Sequence, residues 1–291
     1  AGAGRDAPVL DDRQGILGEL IEYKDAGGDA LADCQPGGCG RNGNLLRDVV
    51  QASGVKIIAC PGFHRASYYP ADYWMWQAEA GEITDSFVGE IRLGLAEVRD
   101  SENPVRAGFV KIACEEQLSR TPQAALEAAA GAVAETGSAI EVHTEKGAQA
   151  EGILAFFAAH KVPPGRIILC HMDKRPDFAL HCELARVGIL LEYDTFYRPK
   201  YDLERNLWPL IEKMAAEGLC EYVALATDMA EKALWRLGGG PGLAGFPQDI
   251  RKCLRQAGLD EECIGRRMGK NILQRLALPA SGGQFMETLW I

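Results

Sequence analysis

Apolar positions along the chain cluster into short, nearly unbroken runs separated by longer stretches with helical spacing. The runs cover residues 30–34, 55–60, 109–113, 139–143, 166–171, 188–193 and 222–227. Unbroken apolar strands imply a parallel sheet covered on both faces, and their alternation with helices implies repeated strand–helix units. Residues 122–136 form an alanine-rich helical register opened by Thr121-Pro122, and residues 12–24 predict a helix ahead of any strand. The pattern predicts an α/β fold of the (β/α)8 TIM-barrel type. It is read as one domain over residues 1–291, with no linker or internal repeat. The strands fall one short of a closed barrel, and the missing one is the first.

Composition narrows the class without naming a function. The 291 residues are 47% hydrophobic and 25% charged, as in an ordinary folded protein. A net charge of -10 opposes binding to nucleic acid or to an anionic membrane surface. No run approaches the roughly 18 apolar residues of a membrane-spanning helix, and the opening six residues carry no signal-peptide pattern. The nine cysteines are scattered, with Cys60, Cys114 and Cys170 in or beside apolar runs, which reads as buried thiols in a reducing cytoplasm. Cys34 and Cys39 lack a second pair at zinc-finger spacing.

In such a barrel the chemistry gathers at the C-terminal ends of the strands. Lys111 sits within an apolar run, where a bare ammonium would be costly, so it needs a partner, a shifted pKa or a covalent change. Carboxylation by carbon dioxide would make it an anionic oxygen ligand. His143 and His171 close two further runs and Asp228 follows the last, a nitrogen and oxygen donor set suited to zinc, manganese or a similar divalent ion.

With these residues in view, the chain resembles the phosphotriesterase-like branch of the amidohydrolase superfamily, in its lactonase-type members. The resemblance spans residues 11–278. It rests on Tyr23-Lys24-Asp25-Ala26-Gly27-Gly28, Gly40-Arg41-Asn42, Pro61-Gly62-Phe63-His64, Arg106-Ala107-Gly108-Phe109-Val110-Lys111-Ile112-Ala113, Glu135-Thr136-Gly137, Val142-His143-Thr144 and Cys170-His171-Met172-Asp173. It implies two divalent metal ions, zinc by expectation, bridged by a carboxylated Lys111. His143 and His171 would be ligands of the more exposed ion, and Asp228 a ligand and the proton acceptor from a metal-bridging hydroxide. The family's His-x-His pair on strand one is absent, and the five histidines are His64, His143, His160, His171 and His181. One cause is expected to account for both the missing strand and the missing pair: a segment of some tens of residues preceding Ala1.

The segment after Asp228 directs the substrate reading. Lys232 and Arg236, four apart, would share one face of a helical turn and clamp an anion, with Arg175 and Lys174 adding positive charge at the rim. By resemblance this favours opening of a phosphorylated sugar lactone, or more broadly of a lactone or carboxylic ester. His64 follows a strand end where it could touch the substrate carbonyl. Gly238 to Gly242 reads as turn chemistry, because no P-loop Gly-Lys-Ser/Thr follows. The alternatives are a phosphotriesterase acting on organophosphates, and a barrel that binds a small anion without turnover. Expected partners are the small-molecule substrate and a second copy in a homodimer, with no nucleic acid and no membrane.

Overall fold

The structure is a computed structural model describing residues 12–277. Helix α1 (Arg13–Asp25) comes first, with the Asp12 side chain accepting the Gly15 N–H at its N-cap. Strand β1 (Ala30–Ala32), helix α2 (Gly43–Ser53) and strand β2 (Lys56–Ile58) follow, and β1 and β2 pair in parallel. A short strand β3 (Gly62–Phe63) continues the path of β2, because Ala59 bridges to Ala107 and the Pro61 carbonyl accepts the Lys111 N–H. Residues 55–63 therefore act as one bent strand. Gly62 is required at the bend: its φ is +141°, and an added Cβ would fall 1.8 Å from the Lys111 carbonyl oxygen.

The remaining parallel strands are β4 (Phe109–Cys114), β5 (Ala139–Thr144), β6 (Ile167–Cys170), β7 (Leu190–Tyr193) and β8 (Val223–Leu225), hydrogen-bonded in chain order from β3. Helices α3 (Ala80–Arg92), α4 (Gln123–Thr136), α5 (Ala150–Ala159), α6 (Phe178–Arg186) and α7 (Leu207–Ala216) form the outer layer. They are followed by α8 (Arg251–Gln256), α9 (Glu261–Gly265) and α10 (Asn271–Leu276). Each predicted apolar run contains a strand: β4 and β5 extend one residue past their runs, and the other five strands are shorter than theirs. Among the described residues no ladder joins β8 to β1 and no strand precedes α1. The segment expected ahead of Ala1 lies outside the described residues.

Side chains alternate across each strand, so the ring interior is built in layers. The deepest layer is apolar, with Ile58, Phe109, Ala139, Ile168, Leu190 and Ala224 capped by Leu276. Two residues further along the strands come Lys111, Glu141, Cys170 and Glu192, and two further still Ala113, His143 and Asp194. The larger core lies between the sheet and the helices, where Leu126, Ile140, Val142, Phe157 and Leu169 are fully buried. α4 begins at Gln123 with Pro122 as its N-cap. Thr121 does not cap it, because its hydroxyl accepts the Glu115 N–H instead.

Cys60, Cys114 and Cys170 are buried free thiols, as their apolar settings predict. Cys220 and Cys263 instead form a disulfide, joining the turn before β8 to α9. A 43-residue separation hid that proximity from the sequence.

Candidate metal centre at the strand ends

His143 ends β5 and His171 follows β6, and the ladder between these strands sets their rings side by side. His171 Nε2 lies 2.8 Å from His143 Nδ1. On its other side, His171 Nδ1 lies 2.6 Å from Asp194 Oδ2. Because a carboxylate only accepts, the His171 Nδ1–H donates to Asp194 and Nε2 is left to accept from the Nδ1–H of His143. The relay ends on His143 Nε2, a buried nitrogen with no hydrogen-bond partner, 3.7 Å from Glu145 Oε2. Burial and the neighbouring His171 hold the His143 ring far below the usual imidazole range, so it is neutral and its lone pair is available.

Asp228 follows β8 and brings its Oδ2 to 3.9 Å from His171 Nδ1. Donor atoms of His171, Asp194 and Asp228 all lie within 4.8 Å of one another. His171 and Asp228 both adopt positive φ, 65° and 44°, a backbone state rare for non-glycine residues and concentrated at functional sites. His143 Nε2 and Asp194 Oδ1 are buried atoms without hydrogen-bond partners at these strand ends. These donors fit a divalent cation of the zinc or manganese class.

The surrounding charges are equally specific. Arg198, 6% exposed, donates from Nη2 to Asp228 Oδ2 at 3.0 Å and from Nη1 to the Thr227 carbonyl at 3.1 Å. Lys174 Nζ stands 3.8 Å from Asp228 Oδ2 and 3.9 Å from Asp194 Oδ1. Burial pushes the Asp194 carboxyl up, but His171, Lys174 and Arg198 outweigh it and leave it below its ordinary value. Asp173 Oδ2 accepts from Asp194 N, Thr195 N and Thr195 Oγ1, which locks the end of β7.

Lys111 behaves differently from its neighbours at the strand ends. Its Nζ lies 2.5 Å from Glu141 Oε1 and 3.4 Å from Cys170 Sγ, one layer below the histidines. Of the partner, pKa shift and covalent change open to it, the structure supplies a partner. Burial works against its charge, but the anionic surroundings prevail and hold it protonated.

His64 reaches the site, with its ring centroid 5.5 Å from that of His143. Burial and the nearby Lys111 push it down to about 3, so it is neutral. The expected Lys232–Arg236 clamp is corrected. Residues Lys232–Leu234 and Arg236–Gly238 are two separate short turns with Trp235 extended between them, so the two cations do not share a helical face. Arg236 Nε pairs with Glu22 at 3.2 Å, and Lys232 is exposed. Arg175 is held by both oxygens of Glu151, at 3.1 and 3.0 Å. The turn reading of Gly238 to Gly242 holds, with Gly239 and Gly242 at positive φ.

Asp194, Arg198 and Glu141 were not singled out from the sequence. Strand alternation carries the signal for two of them, since Glu141 lies two before His143 and Asp194 lies two beyond Glu192. Arg198 has no such signal.

A family model described as the phosphotriesterase family matches residues 6–274. The chain belongs to the phosphotriesterase family. This is a family of metal-dependent hydrolases, and the protein is a hydrolytic enzyme. It is similar in structure to the phosphotriesterase homology protein of Escherichia coli, solved with phosphate in its active site: 22% identity, 92% of this chain, 90% of that one, TM-score 0.84. It is also similar to the lactonase Lmo2620 of Listeria monocytogenes: 21% identity, 94% and 89% of the two chains, TM-score 0.86. Among curated proteins, the human N-acetyltaurine hydrolase is 23% identical, over 90% of this chain and 77% of its own. The structural likenesses show the (β/α)8-barrel fold.

Proposed function

We propose that the enzyme opens a lactone or related carboxylic ester, with a phosphorylated sugar lactone as the sharper substrate. The convergence of His143, His171 and Asp228 at the strand ends, with Asp194 behind His171, carries the reading. A divalent ion held there would lower the pKa of water and polarise a carbonyl oxygen. His143 Nε2, an Asp228 oxygen and His171, whose Nε2 would turn from the His143 Nδ1–H to the ion, would hold it. Asp228 accepts the proton of the attacking water, and Arg198 and Lys174 aim its carboxylate. His64, neutral and beside His143, donates to the carbonyl or the leaving oxygen.

Lys174 and Arg198 supply positive potential next to the donors, and Lys232 adds more from the exposed loop, which supports an anionic substrate. The resemblance further implies a second ion bridged by carboxylated Lys111. That arrangement requires Nζ to leave Glu141 and rise one layer.

The test is a substrate panel on zinc- or manganese-loaded protein whose metal content is known. It should include phosphorylated and plain sugar lactones, simple carboxylic esters, a phosphotriester and N-acetyltaurine. Lactone turnover lost in His171→Ala supports the reading. Preference for the phosphotriester or the amide by kcat/KM moves the assignment to that substrate, and no turnover with full metal returns the chain to a binding role.

A further inference from the structure

Beneath the histidine layer the barrel holds a second cluster of donors that the reaction above does not use. Glu141 Oε1 is crowded: besides Lys111 it receives Cys34 Sγ at 2.9 Å and Cys170 Sγ at 3.3 Å. Its other oxygen, Oε2, is buried with no partner, although the residue is only 1% exposed. One donor atom from each of Glu141, Cys170 and Glu192 lies within 4.8 Å of the others. None of the three belongs to the set at the strand ends.

We infer that Glu141, Cys170 and Glu192 form a separate interior site for one thiophilic divalent cation of the zinc class. Two carboxylates and a thiolate supply three negative charges. The cation contributes two positive charges and the adjacent Lys111 ammonium one, so the layer is neutral when filled. Leaving it empty strands a buried carboxylate oxygen without a partner. Binding forms a metal–sulfur bond and releases to solvent the Cys170 thiol proton together with the Glu192 carboxyl proton, which burial and Glu141 favour in the empty layer. The donor mixture selects zinc-like ions over magnesium or calcium, which favour oxygen alone. The inference does not depend on the substrate reading, because its three donors are absent from the strand-end set, and it takes Lys111 as the ammonium paired with Glu141.

The experiment loads metal-stripped full chain with cobalt(II) alone and follows the near-ultraviolet charge-transfer absorption that only a thiolate ligand produces. The strand-end site has no sulfur donor, so that band reports the interior site. The wild-type chain should show the band, and Cys170→Ser should lose it together with one equivalent of cobalt, while keeping the other bound cobalt and its hydrolysis. Absence of the band in the wild type, or its persistence in Cys170→Ser, overturns the inference. Should Cys170→Ser fail to fold, Glu192→Gln decides instead. Cobalt affinity reported by the same band should fall at least about tenfold, and an unchanged affinity counts against the site. Loss of hydrolysis in wild-type protein that keeps the band would bear on the substrate reading and leave this site standing.

Discussion

His171 is fixed by Asp194 through two contacts to one oxygen: its ring Nδ1 lies 2.6 Å from Asp194 Oδ2 and its backbone N–H 3.1 Å from the same atom. Asp194 is itself positioned by Asp173, which accepts the Asp194 N–H at 3.0 Å. The chain Asp173, Asp194, His171, His143 therefore sets the tautomer of both histidines and leaves bare nitrogen toward the candidate metal.

Replacing Asp194 with asparagine keeps the shape but removes the charge that holds the His171 Nδ1–H. Affinity for zinc at the strand ends should fall about 10- to 100-fold, with hydrolysis falling in parallel. Metal titration of the variant against wild type checks it. Equal affinities would show that Asp194 merely packs.

The buried Lys111–Glu141 pair predicts an asymmetric pattern of stability. In metal-free protein, Lys111→Met leaves Glu141 charged and unpaired and should cost about 3–5 kcal/mol in urea unfolding. The double variant Lys111→Met with Glu141→Gln should recover much of that loss. A double variant no more stable than the single one would mean that the pair is not the source.

At the rim, Lys174 and Arg236 should separate. Lys174→Ala is expected to raise KM for a phosphorylated lactone more than for its plain analogue, since Nζ lies beside Asp194 and Asp228. Arg236→Ala should leave both KM values near wild type, because its guanidinium is paired with Glu22 on α1. The reverse pattern would restore the clamp once expected at position 236.

His181 makes stability pH-dependent away from the site. Its Nε2 donates to the Arg175 carbonyl at 3.0 Å, so Nδ1 accepts from the Tyr193 hydroxyl at 2.7 Å, and the ring is satisfied only when neutral. Burial lowers it from 6.5 to about 4. The unfolded chain thus binds the proton first as pH falls, so stability drops between about pH 6.5 and 4, by about 3 kcal/mol, and is constant from this source above pH 6.5. His181→Gln should flatten that part of the profile. An unchanged slope in urea titrations at several pH values would refute it.

The Cys220–Cys263 disulfide closes a long loop between β8 and the C-terminal helices. Reduction should lower stability by about 3–4 kcal/mol on the loop-entropy account. Thermal melts with and without reductant, compared with Cys220→Ser, measure it. Identical melts under both conditions would show that the bridge contributes nothing.

The order of strands and helices, and the placement of Lys111 within a strand and of His143, His171 and Asp228 at strand ends, were legible in the chain. Apolar periodicity and strand alternation are local properties that backbone geometry translates directly into facing. Tertiary structure alone decided the pairings: Asp194 with His171, Glu141 with Lys111, Arg236 with Glu22, Cys220 with Cys263. The reason is physical. A strand residue's facing follows from its own neighbours in sequence, whereas the partner of a buried charge depends on which side chain the adjacent strand or the closing helix brings within a few ångströms. That choice gives Lys111 a glutamate partner, and it sets Arg236 against Glu22 of α1 instead of beside Lys232 on one helical face.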